Sequence, residues 1–368
     1  MSHVLFISHA RGIHGAEAVM VQAVKACAAK GVWVTVVVPS IVPDEGLNEA
    51  LQGIFGVDVI ELPYRAAGRH KMRTYAVLFY NLRAAMYLLK YVRDKHISTI
   101  YSSSSITFLG GLVADTAEIR HVWHWHEPVD KRFGWHPSMK GFYRAMLHRT
   151  SHLVCISRQQ QQEWEQTLQM ALPNVTIIYN PIKRIEVSQP VAHEGIRFGF
   201  IGHFEERKNL PLLVRSFEQL HAAHPNTSLW LCGAIGEKDK AYVEQMTALR
   251  EPDIRILPQT SDVASFYAQI DVLVLPSWRE TMPLVVLEAM QAGVCVLQTD
   301  QSGMKERIED GKESLFFSPY EPESLLRLME RCMDQKERTR IAAAGQKKAM
   351  DLVNNQSFDD QITKLICE

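Results

Sequence analysis

The sequence predicts an α/β protein of two Rossmann-like domains, each built on a doubly wound parallel sheet, and three observations carry that expectation. Continuous apolar runs of strand length alternate with helix-length segments. The alternation starts twice, at Val4 and again at Arg197, on either side of a polar, non-periodic stretch from Lys183 to Glu194 that contains Pro190. The chain's 368 residues also exceed what one core usually supports. The expected domains are 1–185 and 186–355, with 356–368 a last helix packing back on the first domain.

Taken in order, Val4 to Ser8 reads as a strand, followed by a loop with Arg11, Gly12, His14 and Gly15. Ala16 to Lys30 is an Ala-rich helix ended by Gly31, and Val32 to Val38 is a strand buried on both faces. The Gly-x-x-Gly spacing of the loop fits any tight strand-to-helix turn, although its amides and the helix start suit a phosphate. Thr99 to Ser102, a strand ending at Val122-Trp123, Leu153 to Ser157 and Val175 to Tyr179 complete the first sheet, with a Gln-rich helix after Ser157. In the second half Arg197 to Ile201, Ser228 to Cys232, Ile254 to Leu257, Asp271 to Leu275, Val294 to Leu297 and Ser314 to Phe317 are strands. Leu210 to Ala223 is an amphipathic helix, and Glu321 onward is helical.

Composition narrows the classes. A hydrophobic content of 46% and a charged content of 22% exclude a disordered chain. No apolar run reaches the ~18 residues of a membrane span, and the first residues read as a strand and not as a signal peptide, so a cytoplasmic protein is expected. Six cysteines scattered singly inside apolar runs point to reduced thiols. Residues 1–185 carry 20 Lys and Arg against 13 Asp and Glu, and the remainder 20 against 28, so the near-neutral total hides a basic front half suited to an anionic partner. Between Tyr64 and Lys95, Arg65, Arg69, Lys71, Arg73, Arg83, Lys90, Arg93 and Lys95 alternate with Tyr75, Phe79, Tyr80, Met86, Tyr87 and Tyr91. That pattern reads either as a helix with a basic solvated side or as a peripheral docking face for anionic membrane or acidic glycan.

The stretch with most chemistry runs from Ser277 to Gly293 and holds Glu280 and Glu288 with seven residues between them. Pro283 suits a first helical position and Gly293 the left-handed residue past a helix end, so a helix lies between two strands. At ~100° per residue the two glutamates would stand ~80° apart on one helix. Glu280 on the loop and Glu288 on the helix is the arrangement that lets both serve one ligand at the carboxyl end of a sheet. His124-Trp125-His126-Glu127 gathers two histidines and a carboxylate, too few for a zinc site.

These residues resemble the retaining, nucleotide-sugar-dependent glycosyltransferases of the GT-B fold, family four, whose hallmark is two glutamates separated by seven residues. Pro276-Ser277, Pro283-Leu284, Leu287-Glu288-Ala289-Met290 with Gly293, the Gly202 to Lys208 loop, His126-Glu127, Ser157, Asn180-Pro181 and Ser318-Pro319 follow the family pattern across both halves. The resemblance implies two domains facing across a cleft, acceptor held by the first and donor by the second. It assigns Glu288 to the ribose hydroxyls, Glu280 to the transferring sugar, and the Thr281, Met282, Pro283 and Leu284 backbone to phosphate or sugar oxygens. Lys208, assisted by Arg207, would neutralise the departing diphosphate, His126 would face the sugar, and Gly15 and Gly202 would lie beside the phosphates. His203 stands where the family often has arginine, and His14-Gly15 where it often has two glycines.

By resemblance the reaction is front-face transfer from a nucleoside diphosphate sugar, UDP before GDP, to a glycan or lipid-linked acceptor in bacterial surface polysaccharide assembly. It implies no metal and no cofactor, and nothing in the chain asks for nucleic acid. The rivals are a nucleotide-sugar epimerase of the same fold and a sugar-nucleotide-binding partner subunit without turnover.

Overall fold

Each apolar run forms a strand, and in most cases a helix carries the chain back before the next, so every pairing in both sheets is parallel. The computed structural model describes residues 2–13, 15–43, 46–65, 71–129, 139–236 and 253–367, with backbone only for 71–78 and 322. The chain divides into two compact units, Met1–Pro181 with Ser357–Glu368, and Ile182–Gln356.

The first unit contains β1 (His3–Ile7), α1 (Gly15–Ala29), β2 (Trp33–Pro39), α2 (Leu47–Leu51), β3 (Val57–Leu62), α3 (Lys71–Asp94) and β4 (Thr99–Ser103). α4 (Leu109–Ala117), β5 (Arg120–Trp125), α5 (Lys140–Leu147), β6 (His152–Cys155), α6 (Arg158–Leu168) and β7 (Val175–Ile177) follow. Its sheet runs β3-β2-β1-β4-β5-β6-β7. Central β1 and β4 are buried at all five positions, as expected of strands covered on both faces. β3 was not among the predicted strands: it is an edge, and Val57-Asp58-Val59-Ile60-Glu61-Leu62 is buried only at Leu62, so its run is broken by charge. Ser157, a member of the family pattern, caps α6 by accepting from the Gln160 amide at 3.0 Å.

The second unit contains β8 (Ile196–Ile201), α7 (Leu210–Ala223), β9 (Thr227–Cys232), β10 (Ile254–Leu257), α8 (Val263–Tyr267), β11 (Val272–Leu275) and α9 (Leu284–Gln291). β12 (Cys295–Thr299), β13 (Leu315–Phe317), α10 (Pro322–Arg331) and α11 (Gln335–Asn354) complete it, with sheet order β10-β9-β8-β11-β12-β13. In each unit the chain builds outward from its first strand and then starts again on the other side. The order therefore reverses between β1 and β4 and between β8 and β11, and a parallel sheet opens its binding crevice at the carboxyl ends beside such a reversal.

The terminal helix α12 (Phe358–Cys367) belongs to the first unit. Phe358, Ile362 and Ile366 enter the core made by Val19, Met20, Val24 and Cys27 of α1. Gln22 donates to Asp359 at 2.9 Å and Lys30 to Thr363 at 2.6 Å along its edge. The cysteines, solitary in sequence, meet in space: the free thiols of Cys27 and Cys367 lie 3.7 Å apart, and those of Cys295 and Cys332 4.0 Å apart.

Helix α3 departs from the simple picture of a basic solvated side. Ala84, Ala85, Leu88 and Val92 are buried, but the opposite face exposes Phe79, Leu82, Met86 and Tyr87 beside exposed Arg83 and Lys90. Arg69 lies outside the described residues, and Lys71, Arg73 and Tyr75 are described by backbone only.

Two glycines allow the close approach at the end of β8. Gly202 has φ +149°, and a Cβ on Gly233 would stand 1.8 Å from the Gly202 carbonyl oxygen. Gly233→Ala is expected to cost more than ~3 kcal/mol in urea unfolding, because backbone and not a flexible side chain must give way. Gly15→Ala, whose methyl group meets nothing within 4 Å, should stay within ~0.5 kcal/mol of the unaltered protein.

Candidate functional site

The second unit gathers charge at its strand reversal. After β8 the chain leaves through Gly202 and exposed His203 into a 3-10 turn, Glu206–Lys208, and Asn209 at φ +50° starts α7. That turn aims Lys208 inward. Its Nζ donates to Glu280 Oε1 at 2.6 Å, the Ser277 hydroxyl donates to the same oxygen at 2.7 Å, and Arg207 Nη1 lies 3.5 Å from it. Arg207 Nε is paired with Glu205 at 2.6 Å. The backbones are fastened as well. The Trp278 amide donates to the Arg207 carbonyl at 3.0 Å, the Glu280 amide to Gln301 at 2.9 Å, and the Gly303 amide to the Glu280 carbonyl at 3.3 Å.

Lys208 and Glu280 are both about nine-tenths buried. Burial alone would raise the Glu280 carboxyl, but Lys208, then Arg207, and the hydrogen bonds from Lys208 and Ser277 outweigh it and leave it below its ordinary value. Lys208 is lowered, by burial first and by Arg207 next, with Glu280 opposing.

Glu288 sits on α9, which the sequence placed well and whose entry differs by one residue. Pro283 is the residue before the first helical position, with φ −71° and ψ 109°. It has no N–H, so of the four backbone positions from Thr281 to Leu284 three carry amides. Gly293, at φ +75°, closes the helix: its amide donates to Met290 at 3.0 Å and the Val294 amide to Ala289 at 3.0 Å, the two bonds of a Schellman ending. Met282 and Pro283 are buried, and Thr281 and Leu284 half-buried. Glu288 is half-buried and accepts from the Tyr267 hydroxyl at 3.0 Å, and burial raises its carboxyl. Sequence reading missed Tyr267 and Ser277's hydrogen bond; nothing in linear spacing connects position 267 to 288.

In the first unit His126 follows β5 into a buried cluster. Glu17, in the first turn of α1, is 1% exposed and pairs with His9 Nδ1 at 2.9 Å. Glu127 accepts from both the amide and the hydroxyl of Ser105 at 2.8 Å. Burial pushes His126 down to about 4, against the pull of Glu127 and Glu17, so its imidazole is neutral at neutral pH. His9 goes the other way: Glu17, through charge and a hydrogen bond, overcomes burial and raises it. His124 is core, with Nδ1 2.5 Å from the Tyr101 hydroxyl, which separates it from His126 in role. Arg11 is held by both oxygens of Glu61, at 2.5 and 3.2 Å. Gly15 is exposed at the start of α1, and His14 lies outside the described residues. A signal for Glu17 was present: it is the only charged residue in the first ten positions of an Ala- and Val-rich helix.

Two doubly wound parallel units, with a lysine–glutamate pair and a second glutamate at the carboxyl end of one sheet, define the GT-B class of glycosyltransferase folds. The sequence pattern of the glycosyl transferases group 1 matches residues 182–348 and that of Glycosyltransferase Family 4 matches residues 13–184. The chain belongs to this family of group 1 glycosyltransferases. It is 26% identical over 167 residues to the lipopolysaccharide core biosynthesis glycosyltransferase LpsE of Rhizobium meliloti, covering 45% of this chain and 48% of that protein. It is 27% identical over 185 residues to a lipopolysaccharide 1,2-N-acetylglucosaminetransferase of Salmonella typhimurium, 47% and 48% covered. The matches thus span about half the length of these relatives. Among solved structures, Anabaena Alr3699/HepE in complex with UDP superposes with TM-score 0.79 at 17% identity over 99% of both chains, a likeness of fold.

Lys208→Met leaves the Glu280 carboxylate buried with a weaker set of partners, and should lower the unfolding free energy by ~3 kcal/mol; adding Glu280→Gln should restore most of it. Equal stability of Lys208→Met and the unaltered protein in urea would refute the pair's importance. Because the folded Glu280 carboxyl lies below its ordinary 4.5, its stabilisation is complete above that value and is lost as pH falls through the lowered one. That part of the acid limb should vanish in Glu280→Gln.

Proposed function

We propose that the protein is a retaining glycosyltransferase that moves a sugar from a nucleoside diphosphate sugar, UDP-linked first and GDP-linked second, to an acceptor hydroxyl in surface polysaccharide or lipid-linked glycan assembly. The observation that carries this reading is the buried Lys208–Glu280 pair at the β8–β11 reversal, with Glu288 on the next helix of the same unit. The named activities of the lipopolysaccharide relatives and the UDP in the Anabaena complex support it.

Transfer breaks the bond from the anomeric carbon to the diphosphate and forms one to the acceptor oxygen. Charge grows on the leaving diphosphate, and the groups suited to meet it are Lys208, Arg207 and the amides of Thr281, Met282 and Leu284 beside the start of α9. Gly202 lets backbone approach phosphate closely, with His203 at the loop surface. Glu280 accepts from hydroxyls of the transferring sugar, and Glu288 from the ribose diol. His126, neutral, is assigned as a hydrogen-bond partner of a sugar hydroxyl. In front-face attack the acceptor oxygen enters where the phosphate leaves and its proton passes to a phosphate oxygen, so configuration is kept with no covalent enzyme intermediate. As proposed, the positive charge comes from protein side chains, without metal or cofactor.

The test is incubation with UDP-glucose, UDP-galactose, UDP-N-acetylglucosamine and GDP-mannose, reading nucleoside diphosphate release and sugar products. Release or transfer is expected. An epimerised donor, or binding without turnover, would replace this reading with an isomerase or a non-catalytic partner subunit. Glu280→Gln and Lys208→Met should each cost at least ~100-fold in turnover.

The same proposal gives the exposed face of α3 a task, because a lipid-linked acceptor brings the protein to a membrane. Among the described residues no helix is long and apolar enough to cross a bilayer. Phe79, Leu82, Met86 and Tyr87 beside Arg83 and Lys90 suit a peripheral contact with anionic lipid. Co-sedimentation with phosphatidylglycerol vesicles should exceed that with phosphatidylcholine and fall on Phe79→Ser/Met86→Ser and on Arg83→Ser/Lys90→Ser. Equal sedimentation of all variants would remove the membrane from the proposal.

A further inference from the structure

Tyr267 is the last residue of α8 and is 1% exposed, yet it carries a hydroxyl. α8 is fixed at its start by Asp262, which accepts from the Ser265 amide at 3.0 Å and from its hydroxyl at 2.6 Å. From its other end the tyrosine reaches the first turns of α9, 3.0 Å from Glu288 Oε2 and 3.3 Å from the Val285 carbonyl. A phenol has one proton to give. The nearer acceptor is a carboxylate, and a hydrogen bond to a charged acceptor is the stronger of the two.

The geometry leaves the other carboxylate oxygen, Oε1, without a hydrogen-bond partner among the described residues, on a side chain that is only half-buried. A carboxylate offers about four lone-pair directions. One is taken from the protein interior, and those toward solvent remain for a ligand. Among the described residues, two further titratable groups act on this pair. Lys183 faces Glu288, its carbonyl held by the Gln291 side chain at 3.0 Å one turn further along α9, and Cys232 at the end of β9 faces Tyr267. Burial, then Glu288, holds the phenol well above its ordinary ionisation range, so it remains a donor. For Glu288, burial raises the carboxyl, while Tyr267 and then Lys183 pull it back.

We infer that Tyr267 is a positioning residue of the donor site: its hydroxyl holds the Glu288 carboxylate in the orientation that accepts the two ribose hydroxyls of the nucleotide. The inference rests on the donor reading above and extends it to a residue buried behind Glu288. A phenylalanine would fill the same space, so the hydroxyl serves Glu288 and not the packing.

The experiment measures UDP and 2′-deoxy-UDP binding by titration calorimetry from acid to neutral pH, for the unaltered protein, Tyr267→Phe, Glu288→Gln and the double variant. Tyr267→Phe should bind UDP about tenfold more weakly, the worth of one charge-assisted hydrogen bond. Loss of the hydrogen bond should let burial raise Glu288 further, so UDP binding should fail at a higher pH as the solution is acidified. Tyr267→Phe should weaken 2′-deoxy-UDP, which keeps one of the two hydroxyls, by less than it weakens UDP, and it should add nothing in the Glu288→Gln background. Unchanged UDP affinity and acid limb in Tyr267→Phe would overturn the inference while leaving the donor reading in place. So would an equal loss in the Glu288→Gln background, which marks a packing defect. Binding of neither UDP nor GDP by the unaltered protein would overturn the donor reading, and the inference with it; binding of GDP alone moves the same series to GDP and 2′-deoxy-GDP with the same expected outcomes.

Discussion

The hydrogen-bonded charge pair between Lys208 and Glu280 is the interaction on which the second unit's site depends. It joins two loops 72 residues apart in sequence, each leaving one of the two strands at which the sheet order reverses. Burying two charges costs several kcal/mol per ion, and their attraction repays that cost only when the remaining hydrogen bonds are satisfied. Ser277 and the fastened backbones of Trp278 and Glu280 supply that satisfaction. Such a pair adds little to stability compared with apolar packing. Its position at a sheet's carboxyl end, where ligands bind, is better explained by the charge it keeps ready.

The two strand reversals do different chemical work. In the second unit, cations and a helix start lie together, a combination suited to phosphate. In the first, Glu17 and Glu127 surround His9 and His126, and the same burial acts on the two histidines with opposite results. His9 is raised by the charge and hydrogen bond of Glu17; His126 is lowered to about 4 because burial outweighs the pull of Glu127 and Glu17. The hydrogen bond to Glu17, more than residue type, separates the imidazole whose proton is held more tightly from the one whose proton is lost more easily.

The carboxylates of the second unit show the same dependence on partners. Glu280 is surrounded by Lys208, Arg207 and Ser277 and stays ionised to lower pH than usual. Glu288, eight residues on, has a phenol and a more distant lysine and is raised. The two glutamates of one motif are therefore not equivalent.

Much of this was legible in the sequence. The parallel α/β class follows from apolar runs such as Leu273 to Leu275 and from the Gly31 and Gly293 helix endings, because burial on both faces and left-handed helix ends are local demands that residues meet locally. The spacing of Glu280 and Glu288 was visible along the chain, and the resemblance carried by that motif and the matching segments of both halves brought in Lys208 and the family. The edge strand β3 was lost because a half-exposed strand carries charge within its run. What only the tertiary structure decided are the meetings of Lys208 with Glu280, Tyr267 with Glu288, His9 with Glu17 and Cys27 with Cys367. Periodicity records which face of an element is buried. It does not record the order of strands in a sheet, and that order determines which distant side chains share a site.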